Sequence, residues 1–267
     1  SFNLSFLTGP MVMNTVSFLY LRVQPAINYK LLSVALDLNV EVYTQSVDQS
    51  PFSSISAGDV RKNEWDRAGA YTGKILYITF GDRYNYPIFV HVGRISDFTL
   101  GTGFLVQRYN NNLYYPDMTR TGIEAKIDYD FIGAEIFCSD ISDWDFMGGR
   151  IFFRPVGLTD ARSSVIGKLE FGFSFVADLD INNCERYNNV SYVKKDWGSE
   201  KVLTYAVDVT LPVLKSKVID ISIVYAVAKL LNTAPKIGYG HSLALTGDIA
   251  DGVLEYKIEF KLLARVF

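Results

Sequence analysis

The stretch LSVALDLNVEV, residues 32–42, alternates between two kinds of side chain along its whole length. Its even-numbered positions are all leucine or valine, whereas its odd-numbered positions are serine, alanine, aspartate, asparagine and glutamate. Successive side chains of a β-strand point to opposite faces of the sheet. The stretch therefore predicts a strand that has one apolar face and one polar face.

The same alternation recurs along the rest of the chain. It is clear over residues 123–129, 169–175, 203–211 and 254–266. Noisier alternation predicts further strands near residues 2–8, 15–28, 68–80, 86–96, 131–140, 147–155, 217–229 and 236–247. Because the apolar residues occupy alternate positions, the 49% hydrophobic content of the 267 residues produces no long apolar run. The sequence accordingly predicts an all-β, antiparallel fold.

The composition of the chain excludes several classes of protein. A hydrophobic fraction this high argues against intrinsic disorder, and a net charge of −3 gives no electrostatic footprint for a nucleic acid. No segment approaches the ~20 consecutive apolar residues of a membrane-spanning helix. With two histidines and two cysteines, a four-thiolate site is excluded and an imidazole metal cluster is not expected. Cys138 and Cys184 either pair in an oxidising compartment or are isolated thiols, which is the preferred interpretation.

The length of the alternating segments points to a membrane. Strands of soluble sheets are most often ~5–6 residues long, whereas a tilted strand that crosses a bilayer needs ~9–11. Outer-membrane barrels also combine short turns at one end with long loops at the other. A soluble sheet that buries its apolar face and leaves its charges in water is the alternative. The predicted short turns lie near 28–30, 81–85, 129–131, 213–216 and 247–251, and the long loops near 44–66, 97–117 and 178–201.

We therefore predict a single transmembrane β-barrel domain over residues 1–267. It has about 12–14 antiparallel strands, short periplasmic turns and longer extracellular loops. The chain is either this whole barrel or a fragment of a longer one. Aromatic residues near strand ends suit the girdles that outer-membrane barrels place at the two membrane surfaces. These residues are Tyr43, Tyr77, Phe80, Tyr84, Tyr86, Tyr129 and Phe131.

Short motifs in roughly the first 180 positions carry a family resemblance. They are Gly9-Pro10, Ala35-Leu36-Asp37-Leu38, Gly58-Asp59-Val60-Arg61, Glu64-Trp65-Asp66, Leu76-Tyr77-Ile78, Val92-Gly93, Thr99-Leu100-Gly101-Thr102-Gly103-Phe104, Tyr109-Asn110-Asn111 and Tyr115-Pro116. Together these motifs resemble a set of large, functionally uncharacterised, porin-like outer-membrane proteins of bacteria. The resemblance implies a location in the bacterial outer membrane and a barrel fold. It supplies no catalytic residues.

If the polar face lines the interior of a barrel, charged side chains face the lumen. Opposed acidic and basic patches at a constriction would set a transverse field and an ion preference. Alternatively, the charges form a salt-bridged wall that only fills the interior. Both interpretations remain open. The candidate lumen residues on the strands are Glu124, Lys126, Asp128, Arg150, Arg154, Lys257, Glu259 and Lys261.

The loop from Asp97 to Asp117 has an unusual composition. Gly101 and Gly103 permit unusual backbone angles, and the apolar run over residues 104–106 should not stand in water. One prediction is that the loop folds into the lumen as a constriction or plug, with Arg108 at the narrow point. The slightly favoured interpretation is two ordinary strand ends and a turn.

The functional prediction is a channel or porin-like transporter that passes small polar solutes by passive diffusion. A surface adhesin or interaction protein on a filled barrel, and a soluble β-rich binding protein, are the alternatives. The expected partners are membrane lipid and lipopolysaccharide around the barrel, and small polar solutes within it. No enzyme activity, cofactor or metal is expected, because His91 and His241 are interpreted as structural and no cluster of serine, histidine and aspartate occurs.

Overall fold

A computed structural model describes most of the chain. The described residues are 1–13, 16–50, 53–61, 65, 71–113, 115, 119–155, 169–179, 201–215, 219–232, 238–250 and 257–266. Within them the fold is all-β and antiparallel, with essentially no helix. No helix in this part of the chain is long and apolar enough to cross a bilayer.

The strands lie close to the segments in which the sequence alternates. A short hairpin, β5 with β6, lies inside the predicted loop over residues 44–66. The strands are β1 (Phe2–Met13), β2 (Val16–Tyr29), β3 (Leu32–Leu36), β4 (Leu38–Tyr43), β5 (Val47–Ser50), β6 (Ser53–Ile55), β7 (Ile75–Phe80), β8 (Ile88–Gly93), β9 (Gly122–Asp128), β10 (Ile132–Cys138), β11 (Phe146–Phe153), β12 (Glu170–Asp178), β13 (Val202–Lys215), β14 (Ile219–Asn232), β15 (Gly238–Ala250) and β16 (Lys257–Val266).

Thirteen strands form the main path of one antiparallel sheet. The path runs from β1 through β2, β3, β7 and β8, and then through each following strand in sequence order to β16, while β4 also pairs with β2. The antiparallel all-β prediction is confirmed. The sheet is not closed into a barrel, because within the described residues β1 pairs only with β2 and β16 only with β15.

The alternating stretch over residues 32–42 is interrupted at Asp37. β3 and β4 pair with the same strand, β2, in one continuous antiparallel register. On its other edge, β3 pairs with β7 only as far as Leu36. The amide of Asp37 then donates a hydrogen bond to the carbonyl of Lys74 at 2.7 Å. The interruption ends the pairing with β7 and leaves the Asp37 side chain fully buried.

The two faces of the sheet are the reverse of those of a soluble protein, in which large apolar side chains are buried and charged ones are exposed. We call the two faces the apolar face and the polar face. The apolar face exposes, on β10 to β15, Ile132, Ile136, Ile151, Phe153, Phe171, Phe173, Phe175, Leu203, Val207, Ile223, Tyr225, Leu243 and Leu245. The polar face buries Asp37, Glu41, Arg150, Asp208 and other polar side chains.

The two ends of the strands differ in part in their connections. One end has the short turns over residues 30–31, 81–87 and 129–131, and also the longer connection over residues 154–169. The other end has the long connections over residues 44–74, 94–121 and 179–201, and also the shorter connection over residues 139–145. The predicted asymmetry of turns and loops is therefore found in part.

Five of the seven aromatic residues predicted near strand ends are exposed at the end that has the short turns. They are Phe80, Tyr84, Tyr86, Tyr129 and Phe131. Their role in a membrane girdle stays a prediction. Tyr43 and Tyr77 do not belong to this set: their rings lie beside Phe18 and His91, which are directed to the polar face. Alternation within each strand explains the difference. Tyr43 shares the face of the buried Asn39 and Glu41, and Tyr77 lies on the face opposite the exposed Ile78 and Phe80.

Candidate functional site

A row of opposite charges crosses β9 to β13 on the polar face. Arg154 lies between Asp128 and Glu170, with Nη1–Oδ1 and Nη2–Oε2 distances of 2.6 and 2.8 Å. Arg150 lies between Glu170 and Asp208, with Nη2–Oε1 and Nη2–Oδ1 distances of 2.8 and 2.7 Å. We call this row the charge ladder: Lys126, Asp128, Arg154, Glu170, Arg150 and Asp208. Its three basic and three acidic side chains balance each other.

Local sequence places the two arginines of the ladder together. Arg150, Phe152 and Arg154 alternate along β11 and its end, so all three share one face. Their guanidinium carbons lie 5.0 and 4.7 Å from the centroid of the Phe152 ring. Gly172 leaves room for the ion pair, since a Cβ there would lie 2.3 Å from Arg150 Nη2 and 2.5 Å from Asp208 Oδ2.

Burial differs strongly from one end of the ladder to the other. The side chains of Arg150 and Asp208 are only 3% and 2% exposed, whereas those of Arg154 and Asp128 are 24% and 25% exposed. Lys126 Nζ lies 3.3 Å from Asp128 Oδ2 at the more exposed end. Within the ladder, acidic and basic side chains alternate through contacts within β9, between adjacent strands and across one intervening strand. They are not separated into acidic and basic patches. This is the arrangement expected of the salt-bridged wall, and whether the ladder lines a lumen stays a prediction.

Arg83, in the turn after β7, joins the ladder to a neighbouring loop. Its guanidinium pairs with Glu124, and its Nη2 donates to the Thr99 carbonyl at 3.0 Å. The same guanidinium carbon lies 4.9 Å from the centroid of the Phe98 ring. Lys126 Nζ donates to the Arg83 carbonyl at 3.4 Å. Glu124 and Lys126, both predicted, therefore meet through a residue that the alternation did not single out.

The remaining predicted strand residues lie on β16. The backbones of Lys257, Glu259 and Lys261 pair with Ala250, Asp248 and Thr246 of β15. Their side chains lie outside the described part of the structure, so their role in the lumen stays a prediction.

The segment over residues 94–113, which we call the inner loop, folds back onto the polar face. Ile95, Phe98, Leu100 and Val106 form a buried apolar cluster with Phe137 of β10. The rings of Phe98 and Phe137 are 4.6 Å apart between centroids. Two ordinary strand ends and a turn, the slightly favoured prediction, are not found. The apolar run is instead removed from water by packing against the sheet.

Polar contacts fix the inner loop at both of its ends and in the middle. The buried Asn111 side chain accepts from the Ile95 amide at 2.9 Å and donates to the Ser139 carbonyl at 2.8 Å. The Gly101 amide donates to Glu135 Oε2 at 3.0 Å. These bonds satisfy loop backbone groups that burial would otherwise leave unpaired.

The inner loop reaches well across the sheet. Gly101 has φ +52° and touches Arg150, where a Cβ would lie 2.2 Å from Cδ. A Cβ on Gly240 of β15 would lie 3.7 Å from Phe104 Cζ. Since the loop begins after β8 and meets β10, β11 and β15, the sheet curves around it. Apart from the charged Asp208, the buried inward side chains described on β13 to β15 are small: Ala206, Val224, Ala226, Ala228, Ser242 and Ala244.

Arg108 lies on the exposed side of the inner loop. It has a positive φ of 53°, and its side chain is 78% exposed beside Asp97, with an Nε–Oδ1 distance of 3.3 Å. Its amide donates to Thr99 Oγ1 at 3.1 Å. The packed side of the loop meets Arg150 and Arg83 instead, so the placement of Arg108 at a narrow point stays a prediction.

Both histidines have partners of a structural kind. His91 Nδ1 lies 2.9 Å from Thr79 Oγ1, and its Nε2 lies 3.2 Å from the Arg94 carbonyl. His241 is exposed on the apolar face, with Nδ1 3.2 Å from the Tyr225 hydroxyl. Within the described ranges, no group of three or more His, Cys, Asp or Glu side chains is arranged to hold a metal ion.

The connection between β10 and β11 buries several polar groups beside the inner loop. Cys138 is a buried free thiol that donates to the Asp140 carbonyl at 3.2 Å; Cys184 lies outside the described residues. Burial raises the pKa of Asp140, although the Ser142 amide, which donates to this carboxylate at 2.9 Å, opposes the shift. Burial likewise raises the pKa of Tyr109 in the inner loop.

A second charged group on the polar face was not predicted from the sequence. We call it the Asp37 cluster: Tyr20, Arg22, Asp37, Arg94 and Tyr115. Alternation directs Asp37 to the polar face, but its partners come from β2 and from loops. Arg94 directly follows β8, where the alternation stops, so no periodic signal marks it.

No protein-family model and no curated protein matches this chain. The resemblance of its motifs to porin-like outer-membrane proteins stays a prediction.

Proposed function

We propose that this chain forms a bacterial outer-membrane β-barrel that acts as a passive channel for small polar solutes. The reversed polarity of the two faces carries the proposal. Burying one exposed Phe, Leu or Ile side chain is worth about 1.5–3 kcal/mol, and the apolar face exposes rows of them, such as Phe171, Phe173 and Phe175 on β12. Acyl chains of phospholipid and lipopolysaccharide would cover this face without a protein partner.

The polar face supplies the other half of the proposal. A charge pair as buried as Arg150 and Asp208 is unfavourable without close partners, and the ladder provides them from β11, β12 and β13. On this proposal, the ladder and the inner loop border the route of the solute. Because the inner loop occupies part of the space around which the polar face curves, only small molecules would pass it.

Site-directed spin labels test the lipid contact of the apolar face. Val207→Cys and Thr204→Cys place labels on opposite faces of β13, in a background whose native cysteines are replaced by serine. After reconstitution into vesicles, the label at 207 should be relaxed by oxygen and the label at 204 by a water-soluble nickel complex. Relaxation of the label at 207 by nickel would contradict the proposal.

Planar-bilayer recording tests the channel itself. The purified full chain should produce discrete conductance steps, and heat treatment before addition should abolish them. Absence of steps from protein that passes the spin-label test would contradict the channel while leaving the membrane location in place.

One observation favours a second candidate, an interaction protein on a filled barrel. The inner loop extends from β8 as far as Gly240 of β15, and a loop of this reach is suited to blocking a small barrel. The absence of conductance described above is the result that this candidate predicts.

A further inference from the structure

The Asp37 cluster contains more positive than negative charge. Arg22 donates through Nε and Nη2 to the two oxygens of Asp37, at 2.5 and 2.8 Å. Arg94 Nη2 pairs with the same carboxylate. Two guanidinium groups thus share one carboxylate, which is 0% exposed. The charge ladder differs in this respect, because its cations and anions are equal in number.

The other polar side chains of the cluster are neutral. The Tyr115 hydroxyl lies 2.6 Å from that of Tyr20 and donates to Asp37 Oδ2 at 3.4 Å. The Tyr115 ring lies 5.1 and 4.4 Å from the guanidinium carbons of Arg22 and Arg94. Within the described part of the chain, Asp37 is the one carboxylate that contacts either arginine.

The two arginines also have N–H donors that make no hydrogen bond to the described residues. Within the described residues, Nη1 of Arg22 and Nη1 of Arg94 make no hydrogen bond, and the buried Nε of Arg94 has no partner. The side chains of Arg22 and Arg94 are 19% and 12% exposed, so the cluster is screened from water without being sealed. An uncompensated cation in such surroundings is costly unless an anion joins it.

We propose that the Asp37 cluster is a binding site for a small oxyanion that carries a carboxylate or phosphate group. Arginine suits such a ligand because its planar guanidinium presents parallel N–H donors to two oxygens at once. The proposal deepens the proposed function and rests on it for the route by which the anion arrives. On this proposal the Asp37 cluster makes the channel selective for anions, and the charge ladder, whose charges balance, does not contribute to the selectivity.

Binding of inorganic phosphate tests the site without requiring a channel. Titration calorimetry on the detergent-solubilised full chain should detect phosphate binding that Arg94→Gln weakens at least about tenfold, the size expected for losing one charge-assisted contact. Arg108→Gln is the matched control, since it removes the same charge from an exposed position and should leave the affinity unchanged. Equal affinities in all three proteins, or no binding to the unmodified chain, would overturn the proposal.

Asp37→Asn separates an anion site from a merely structural cluster. It removes the carboxylate that competes with the ligand, so phosphate should bind more tightly than to the unmodified protein. Arg94→Gln and Asp37→Asn then act in opposite directions, whereas loosening of a structural contact would weaken phosphate binding in both. Weakening in both variants would overturn the proposal. Arg94→Lys keeps the charge and provides a milder variant if Arg94→Gln does not fold.

Reversal potentials in a potassium chloride gradient connect the site to the passage. The unmodified channel should prefer chloride, and Arg94→Gln should reduce this preference, whereas Lys30→Gln, in the exposed turn between β2 and β3, should leave it unchanged. Phosphate binding without conductance would contradict the proposed function and support the site. Conductance with neither phosphate binding nor an effect of Arg94→Gln on selectivity would support the function and overturn the site.

Discussion

Arg150 is the side chain whose loss should cost most. It lies within hydrogen-bonding distance of both Glu170 and Asp208 and, like Asp208, is almost fully buried. Arg150→Met keeps much of the volume but leaves a buried carboxylate without its cation. We expect the free energy of unfolding to fall by about 3–5 kcal/mol, as measured by urea titration of the detergent-solubilised protein.

The control for this variant is Arg108→Met, which makes the same chemical change at an exposed ion pair with Asp97. Exposed pairs contribute about 0–1 kcal/mol because water and salt screen them. If Arg150→Met destabilised the protein no more than Arg108→Met, the burial of the charge ladder would be contradicted.

Asp82, in the turn between β7 and β8, gives a prediction about pH. Hydrogen bonds from the amides of Tyr84 and Asn85, and from the Asn85 side chain, lower the pKa of Asp82 below its usual value of 3.8. The folded protein therefore favours the ionised carboxylate more than the unfolded chain does. This stabilisation is complete above the usual carboxyl pKa and disappears as the pH falls through the lowered pKa.

Asp82→Ala tests that dependence. The difference in unfolding free energy between the unmodified protein and the variant should be constant above about pH 5 and shrink at lower pH. Urea titrations across this range measure it, and a difference that grows as the pH falls would rule out the assigned turn.

At the scale of single residues, the alternation of the sequence predicted the face of the sheet on which a side chain lies, but it did not predict which side chains contact each other. It directed Glu124, Lys126, Asp128, Arg150 and Arg154 to one face, which is where they lie. Which charges meet depends on the register between strands, and a single sequence carries no direct record of register. Alternation also gives no information in loops, so it overlooked Arg83 and Arg94.

At the scale of elements, the inner loop is held by a few specific bonds. Asn111→Ala removes the acceptor for the Ile95 amide and the donor to the Ser139 carbonyl. Leaving such buried groups unpaired costs about 1–3 kcal/mol each. We expect the variant to expose the loop, which faster amide hydrogen exchange over residues 94–113 would report.

Asn85→Ala is the matched control for the loop. Asn85 is exposed in the turn between β7 and β8, at the other end of the strands from Asn111, and it donates to Asp82. Exchange in the inner loop should not change in this variant. Unchanged exchange in Asn111→Ala as well would mean that Asn111 does not fasten the loop.

The strands and the long connections were predictable as elements because period-two alternation and its interruption are local signals. The interruption at Asp37 was not, since the alternation of residues 32–42 passes through it unbroken. The interruption depends on the partner strand: the pairing of β3 with β7 ends at Leu36, and the Asp37 amide donates to the Lys74 carbonyl. The sequence of one strand does not indicate where the strand paired with it ends.

At the scale of the whole molecule, the reversed faces predict which surface tolerates charge. Phe173→Arg places a cation on the apolar face, where the cost in a bilayer is about 2–4 kcal/mol near the midplane. Thr204→Arg places the same cation on the polar face of the next strand. Folding yield into lipid vesicles, read from heat-modifiable gel migration, should fall for Phe173→Arg alone. Equal yields for the two variants would contradict the lipid contact.

The polarity of the two faces could be predicted from the sequence because each strand carries its own alternation of apolar and polar residues. Barrel closure could not, because it depends on pairing between the first and last strands of a sheet, which no local pattern encodes. The sheet is open within the described residues, where β1 and β16 each have one partner, and alternation did not predict this.

The small inward side chains of β13 to β15 have a consequence for any molecule that travels along the polar face. On one side such a molecule meets guanidinium and carboxylate groups, and on β14 and β15 it meets mainly small side chains, among them Ala226, Ala228, Ser242 and Ala244. Ions shed hydration water reluctantly, and a methyl-lined wall cannot replace it. Amphipathic solutes, with one polar side and one hydrocarbon side, would match this asymmetric lining better than uniformly charged solutes.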